Sequence, residues 1–140
     1  MSLETVLARI AFSKALLHRD RFIGTFYKQL FHNHPELRPL FPKDMSDQLI
    51  KMVDTLTLLT LQLQDREALA EGLRNLGFRH QGYGILPSHY GAMRTAMLEA
   101  LRKVLGDEWT PEMASSCDKT LIWVSEVMLS ATEVGSRPPD

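Results

Sequence analysis

The sequence predicts an all-α fold of about seven helices. Apolar residues recur at three- and four-residue spacing along almost the whole chain, and no stretch alternates apolar and polar residues as a half-buried strand would. The breaks in that periodicity carry helix-start or helix-stop residues: Pro35, Ser46, Gly82 with Gly84, Pro87, Gly106 and Thr110-Pro111.

The elements follow in order. Residues 3–17 carry Leu3, Val6, Leu7, Ile10, Ala11 and Leu17 on one side of a first helix. Residues 20–33 repeat the pattern with Phe22, Phe26, Leu30 and Phe31, and Asp20 is placed to cap them. Pro35 opens a short helical turn, PELRPLF, which Pro39 and Pro42 keep short. Ser46 is placed to cap a longer helix with the stripe Leu49, Met52, Val53, Leu56, Leu59 and Leu63. The register breaks near Gln64-Asp65. A helix with Leu69, Leu73 and Leu76 then leads to His80, and Gly82 and Gly84 end it. Pro87 and Ser88 open the next, striped by Met93, Met97, Leu101 and Val104 and ended by Gly106. Thr110-Pro111 supplies a cap and a first-turn proline for the last helix, with Met113, Cys117, Leu121, Val124 and Met128. Residues 1–134 read as one domain and 135–140 as a frayed, flexible tail. So many short helices exceed a plain four-helix bundle, and their stripes must converge on something compact.

Composition narrows the function. The chain has 140 residues, 44% hydrophobic and 24% charged, with a net charge of −1. That is the make-up of one soluble domain, with no basic surface for nucleic acid. No apolar run is long enough to span a bilayer. The first residues, MSLETVLARIAF, contain Glu4 and no long apolar stretch, unlike a secretory signal. One cysteine, Cys117, allows no internal disulfide and fits a reducing cytoplasm; set among apolar positions, it reads as core filler. There is no GxGxxG, glycine-lysine phosphate loop, HExxH or CxxC. His32-x-His34 has a spacing some metal sites use, but residues two apart on a helix diverge.

His80 stands out. Four residues beyond Leu76, it continues an apolar helix face, glycines follow it, and Tyr90 lies just past the turn, where its hydroxyl can meet the imidazole. A structural or solvated histidine is the competing account. Elsewhere, Gln48 and Met52 share one face of a largely apolar helix, Tyr27 lies in an aromatic-rich segment, and Phe41 is held on a constrained turn. For Gln48, a solvated first-turn amide is the alternative. Together these residues make an apolar pocket with two hydrogen-bond donors facing a lone imidazole. That suits a metal-bearing planar cofactor better than hydrolysis.

Two segments carry a family resemblance: FYKQLFHNHPELRPLF, residues 26–41, and LGFRHQGYGILPSHY, residues 76–90. With the Gln48-to-His80 separation, they resemble the bacterial single-domain globins and the globin module of flavohaemoglobins, over roughly residues 5–130. The resemblance implies a globin-like fold, with helices packed at steep angles around a pocket for haem b, iron protoporphyrin IX. It makes His80 the proximal iron ligand and Phe41 the residue stacked on the porphyrin. Tyr27 and Gln48 become the distal pair, donating hydrogen bonds to bound dioxygen. Met52 becomes an apolar wall over the ligand, Met93 part of the cofactor pocket, Arg79 a partner for a haem propionate, and Tyr90 the hydrogen-bonding support of His80. The sequence departs from the family in several places. The supporting glutamate's position falls on Thr132, with Glu133 one residue, or about 100° of helix, away. Cys117 and Leu121 stand where tryptophan and tyrosine are usual, and the segment from Phe41 to Gln48 is shorter.

The leading expectation is a gas-binding protein for dioxygen, nitric oxide or carbon monoxide, acting in oxygen binding or transport in the cytoplasm. The alternatives are a nitric oxide dioxygenase fed by an external reductase, a haem-based gas sensor, and a haem-free helical regulatory domain.

Overall fold

The computed structural model of the chain describes residues 2–133; the side chains of Thr132 and Glu133, and the tail predicted at 135–140, lie outside it. The order is α1 (Leu3–Leu17), α2 (Arg19–Asn33), a 3-10 helix (Pro35–Leu40), α3 (Ser46–Gln62), α4 (Arg66–Gly82), α5 (His89–Leu105), a short 3-10 turn (Gly106–Glu108) and α6 (Pro111–Glu133). No strand occurs among the described residues, and no described helix is long and apolar enough to cross a membrane.

Most helix limits are set by local chemistry. The Asp65 carboxylate accepts the Ala68 amide and starts α4. Thr110 Oγ1 accepts the Met113 amide at 3.1 Å, ahead of Pro111. Gly106 ends α5 at φ 56°, where a side chain would be strained.

Four of the sequence expectations are corrected. The buried face of α1 is Thr5, Ala8, Ala11, Phe12 and Ala15, whereas Leu3 and Leu17 at its two ends are 72% and 77% exposed. Three alanines let α1 lie close against α6 and α3. Asp20 does not cap α2; His18 precedes the helix without a side-chain bond, and Asp20 sits in the first turn, complementing the helix dipole. Ser46 is the first residue of α3 and not its cap. Met45 holds the cap position without a side-chain bond, and Asp44 just before it accepts from the Ser46 amide at 3.0 Å and hydroxyl at 2.6 Å. Leu49, counted in the α3 stripe, is exposed, while Leu56, Leu59 and Leu63 are buried.

The core is one cluster drawn from all six α-helices, with Phe12, Phe22, Leu30, Leu59, Leu69 and Leu101 almost fully buried. Each such side chain contributes about 1.5–3 kcal/mol over leaving it in water. α1 crosses α3 and α6, α2 packs on α5, and α4 packs on α6. Backbone meets backbone where α4 crosses α6: a Cβ on Gly77 would stand 2.1 Å from the Met128 carbonyl oxygen. Only glycine permits that crossing, and it lies one helical turn before His80.

Candidate functional site

A cavity of about 650 Å³ opens between α3 and α4, with α2, α5 and α6 closing the back. The predicted apolar stripes converge here, through Leu73 and Leu76 of α4, Met97 of α5, and Leu121, Val124 and Met128 of α6. All eight residues singled out from the sequence line it: Tyr27, Phe41, Gln48, Met52, Arg79, His80, Tyr90 and Met93.

His80 sits in the last turn of α4. Its Nδ1 lies 2.9 Å from the Leu76 carbonyl oxygen, four residues back on the same helix. A carbonyl can only accept, so in the neutral ring Nδ1 carries the proton and donates, and Nε2 keeps its lone pair. Burial holds the imidazole's pKa below the usual histidine value, the Leu76 bond opposes this, and the neighbouring Arg79 charge lowers it further. A neutral imidazole with one nitrogen committed and the other free is the form that ligates a metal.

Tyr90 is brought beside His80 but not into the predicted hydrogen bond. The ring centroids are 6.4 Å apart at 47°, and the buried Tyr90 hydroxyl has no hydrogen-bond partner among the described residues. Leu76, one turn back, offers an acceptor nearer to Nδ1 than a residue beyond the glycine turn can. The expectation about Thr132 and Glu133 falls on side chains outside the described residues.

Across the cavity stands an aromatic cluster. Tyr27 stacks on Phe31 at 5.8 Å and meets the edge of Phe41 at 5.7 Å, while Phe31 and Phe41 are 5.2 Å apart. Burial pushes the Tyr27 hydroxyl up to about 12, with the Gln48 amide beside it pulling the other way. Tyr27 is therefore a protonated donor at any physiological pH. Met52 and Met93 are half-buried wall residues. Arg79 is exposed at the rim.

Sequence reasoning missed Lys51 as a site residue. It lies at the rim three residues after Gln48, with its ammonium over the Tyr83 ring at 5.5 Å. That helical spacing was the available signal. Met97, Leu121, Val124 and Met128 were read as core stripe, and an amphipathic pattern does not distinguish a wall of packed side chains from a wall of a cavity.

Cys117 is outside this lining, fully buried, and its thiol is pushed up to about 12 by burial, so it is inert filler. His34 pairs with Glu36 at 3.1 Å, and no group of three or more metal-ligating side chains occurs among the described residues. What the cavity offers is a single nitrogen ligand, a flat aromatic opposite, two polar donors, and the cations Lys51 and Arg79 in a lining that also holds Asp47 and Asp54.

The globin family matches residues 24–128. A flavohemoprotein of Bacillus subtilis is 26% identical over 105 residues, 73% of this chain and 26% of that protein. One from Rhizobium meliloti is 26% identical over 102 residues, 71% of this chain and 25% of that protein. The chain thus spans about a quarter of the length of these relatives. Among solved structures, an engineered carbene transferase from Rhodothermus marinus superposes with a TM-score of 0.82 at 22% identity, covering 96% of both chains.

Proposed function

The chain belongs to the globin family, and from that premise we propose that it is a haem protein that reversibly binds dioxygen or another diatomic gas, with His80 as the iron ligand. The carrying observation is the state of the His80 ring: Nδ1 is committed to the Leu76 carbonyl and the lone pair is left on Nε2, in the wall of a large apolar cavity.

The residues present fit haem. A cavity of about 650 Å³ lies within the roughly 300–1,000 Å³ of small-molecule and cofactor sites. Its walls are apolar, as the porphyrin faces require, and Arg79 and Lys51 at the rim match two carboxylates at one edge of a flat molecule. A haem held without thioether bonds is the form supported, because that attachment uses a C-x-x-C-H motif and the one cysteine is buried outside the cavity; haem b is the form proposed. When bound, the haem supplies an iron centre that takes a diatomic gas.

The chain's own residues do the rest. His80 holds the cofactor through a neutral nitrogen. Phe41 packs against its plane, Met52 and Met93 exclude water, and the Tyr27 hydroxyl and Gln48 amide donate hydrogen bonds into the pocket. In a dry site such donors stabilise a partly negative ligand more than they would in water. The test is spectroscopic. Haem added to the purified protein should give a Soret band that shifts on reduction and on adding dioxygen or carbon monoxide. No Soret band would end the proposal.

A second reading is a nitric oxide dioxygenase, favoured by the polar donor pair together with the flavohemoprotein relatives. Electrons would come from an external reductase. Nitrate formation from nitric oxide, with a flavin reductase added, should exceed that of His80→Ala; equal rates would exclude it.

A further inference from the structure

The link between the 3-10 helix and α3 carries a contact that the sequence does not announce. From the 3-10 helix, the Arg38 guanidinium donates through Nη1 to the carbonyls of Phe41 at 3.2 Å and Pro42 at 3.0 Å, and through Nη2 to that of Lys43 at 3.3 Å. Its Cζ also lies over the Phe31 ring, 5.4 Å from the centroid. No backbone amide among the described residues reaches those three carbonyls, and Pro42 has no amide of its own to give. Arg38 therefore does for this segment what a ladder does for a helix.

Both ends of the clamp lead to the cavity. The segment begins at Phe41, whose ring packs on Tyr27 and Phe31. It ends at the start of α3, two residues before Gln48, where Asp44 accepts from the Ser46 amide. The Phe31 ring that carries the guanidinium is itself stacked on Tyr27. One side chain is thus tied to the backbone of Phe41 and, through one ring, to Tyr27. A planar fork of five donors can serve several carbonyls while lying on an aromatic face; a lysine ammonium, a compact point charge, cannot do both.

We propose that Arg38 is a positioning residue for the ligand side of the pocket, holding Phe41 and Tyr27 in place in the haem-free protein as well as in the loaded one. The proposal concerns the pocket assigned above, and so rests on that reading for its functional consequence.

Arg38→Lys and Arg38→Met are the variants, the second keeping the apolar stem. In the haem-free protein, amide hydrogen exchange should quicken about tenfold or more at Phe41, Ser46 and Leu49 in both variants, on the scale of charge-assisted hydrogen bonds. The amides of α4 should keep their wild-type rates, and the Tyr27 ring resonances should shift. In the haem-loaded protein, transfer of haem to excess apomyoglobin should also quicken about tenfold, with Arg38→Lys failing to rescue. Wild-type exchange in both variants would overturn the proposal. So would an equal rise throughout α4, because that is general loosening, or full rescue by lysine. If the protein takes no haem, the gas-binding reading fails, but exchange in the haem-free protein still decides for or against Arg38.

Discussion

The two walls of the cavity are held in different ways. On the His80 wall, backbone sets the geometry: the imidazole is fixed by a main-chain carbonyl at 2.9 Å, and its helix is seated on α6 through Gly77, where no side chain fits. On the opposite wall, side chains hold side chains. Tyr27, Phe31 and Phe41 pack ring on ring, and Arg38 and Asp44 secure the link that carries them to α3. A metal ligand needs one fixed direction, which backbone provides. Ligand-facing donors need a local environment, which a few side chains can set and evolution can retune without moving a helix.

That contrast can be broken at several points. The largest effect belongs to His80→Ala. Deleting the proposed iron ligand should weaken haem retention by more than the roughly 10–100-fold typical of losing a metal ligand's supporting partner; a haem titration followed at the Soret band measures it. Next comes Tyr27→Phe, which keeps the ring cluster and deletes the donor. Dioxygen release in stopped flow should quicken about 10- to 100-fold, while haem affinity changes little. An unchanged release rate means that Tyr27 does not touch the ligand.

Gly77→Ala comes third. It forces α4 off α6 and should cost about 1–3 kcal/mol, as overpacking does, read as a lower urea midpoint together with a disturbed His80 environment. The bonds at two helix starts sharpen the comparison further. Asp65→Ala at the start of α4 and Asp44→Ala at the start of α3 should each cost about 1 kcal/mol in stability. Only the second should alter dioxygen release, since it alone lies next to Gln48.

The smallest effect is on pH dependence. Burial lowers the folded-state pKa of His80, so below the unfolded value of about 6.5 the unfolded chain binds more protons than the folded one. The stability tied to neutral His80 is present above that pH and is lost as pH falls through the lowered folded value. In haem-free protein, urea midpoints should fall between about pH 7 and pH 5, and His80→Ala should flatten that slope.

Much of the fold was legible in the sequence because it is encoded locally. The 3.6-residue periodicity, Gly106, and the Thr110-Pro111 pair act within a few residues of themselves, and the helices end where they say. The errors fell where a distant neighbour decides. Leu3 and Leu17 have the pattern of a buried stripe, but they lie at the two ends of α1 and stay exposed, and Ala8, Ala11 and Ala15 take the inner face. Tyr90 was placed beside His80, yet its hydroxyl bond was not formed, because the competing Leu76 carbonyl belongs to the same helix as the imidazole.

By itself, the sequence determined an all-helical chain, its breaks, and the residue types gathered at the pocket, because periodicity, caps and helix-breaking residues work over one or two turns. The tertiary structure alone decided which face of α1 is inside, that α4 and α6 touch at Gly77, that Lys51 joins the rim, and that Arg38 reaches across to Phe31 and the Phe41 segment. Those outcomes depend on how close two remote backbones come, and no local pattern of residues encodes that distance.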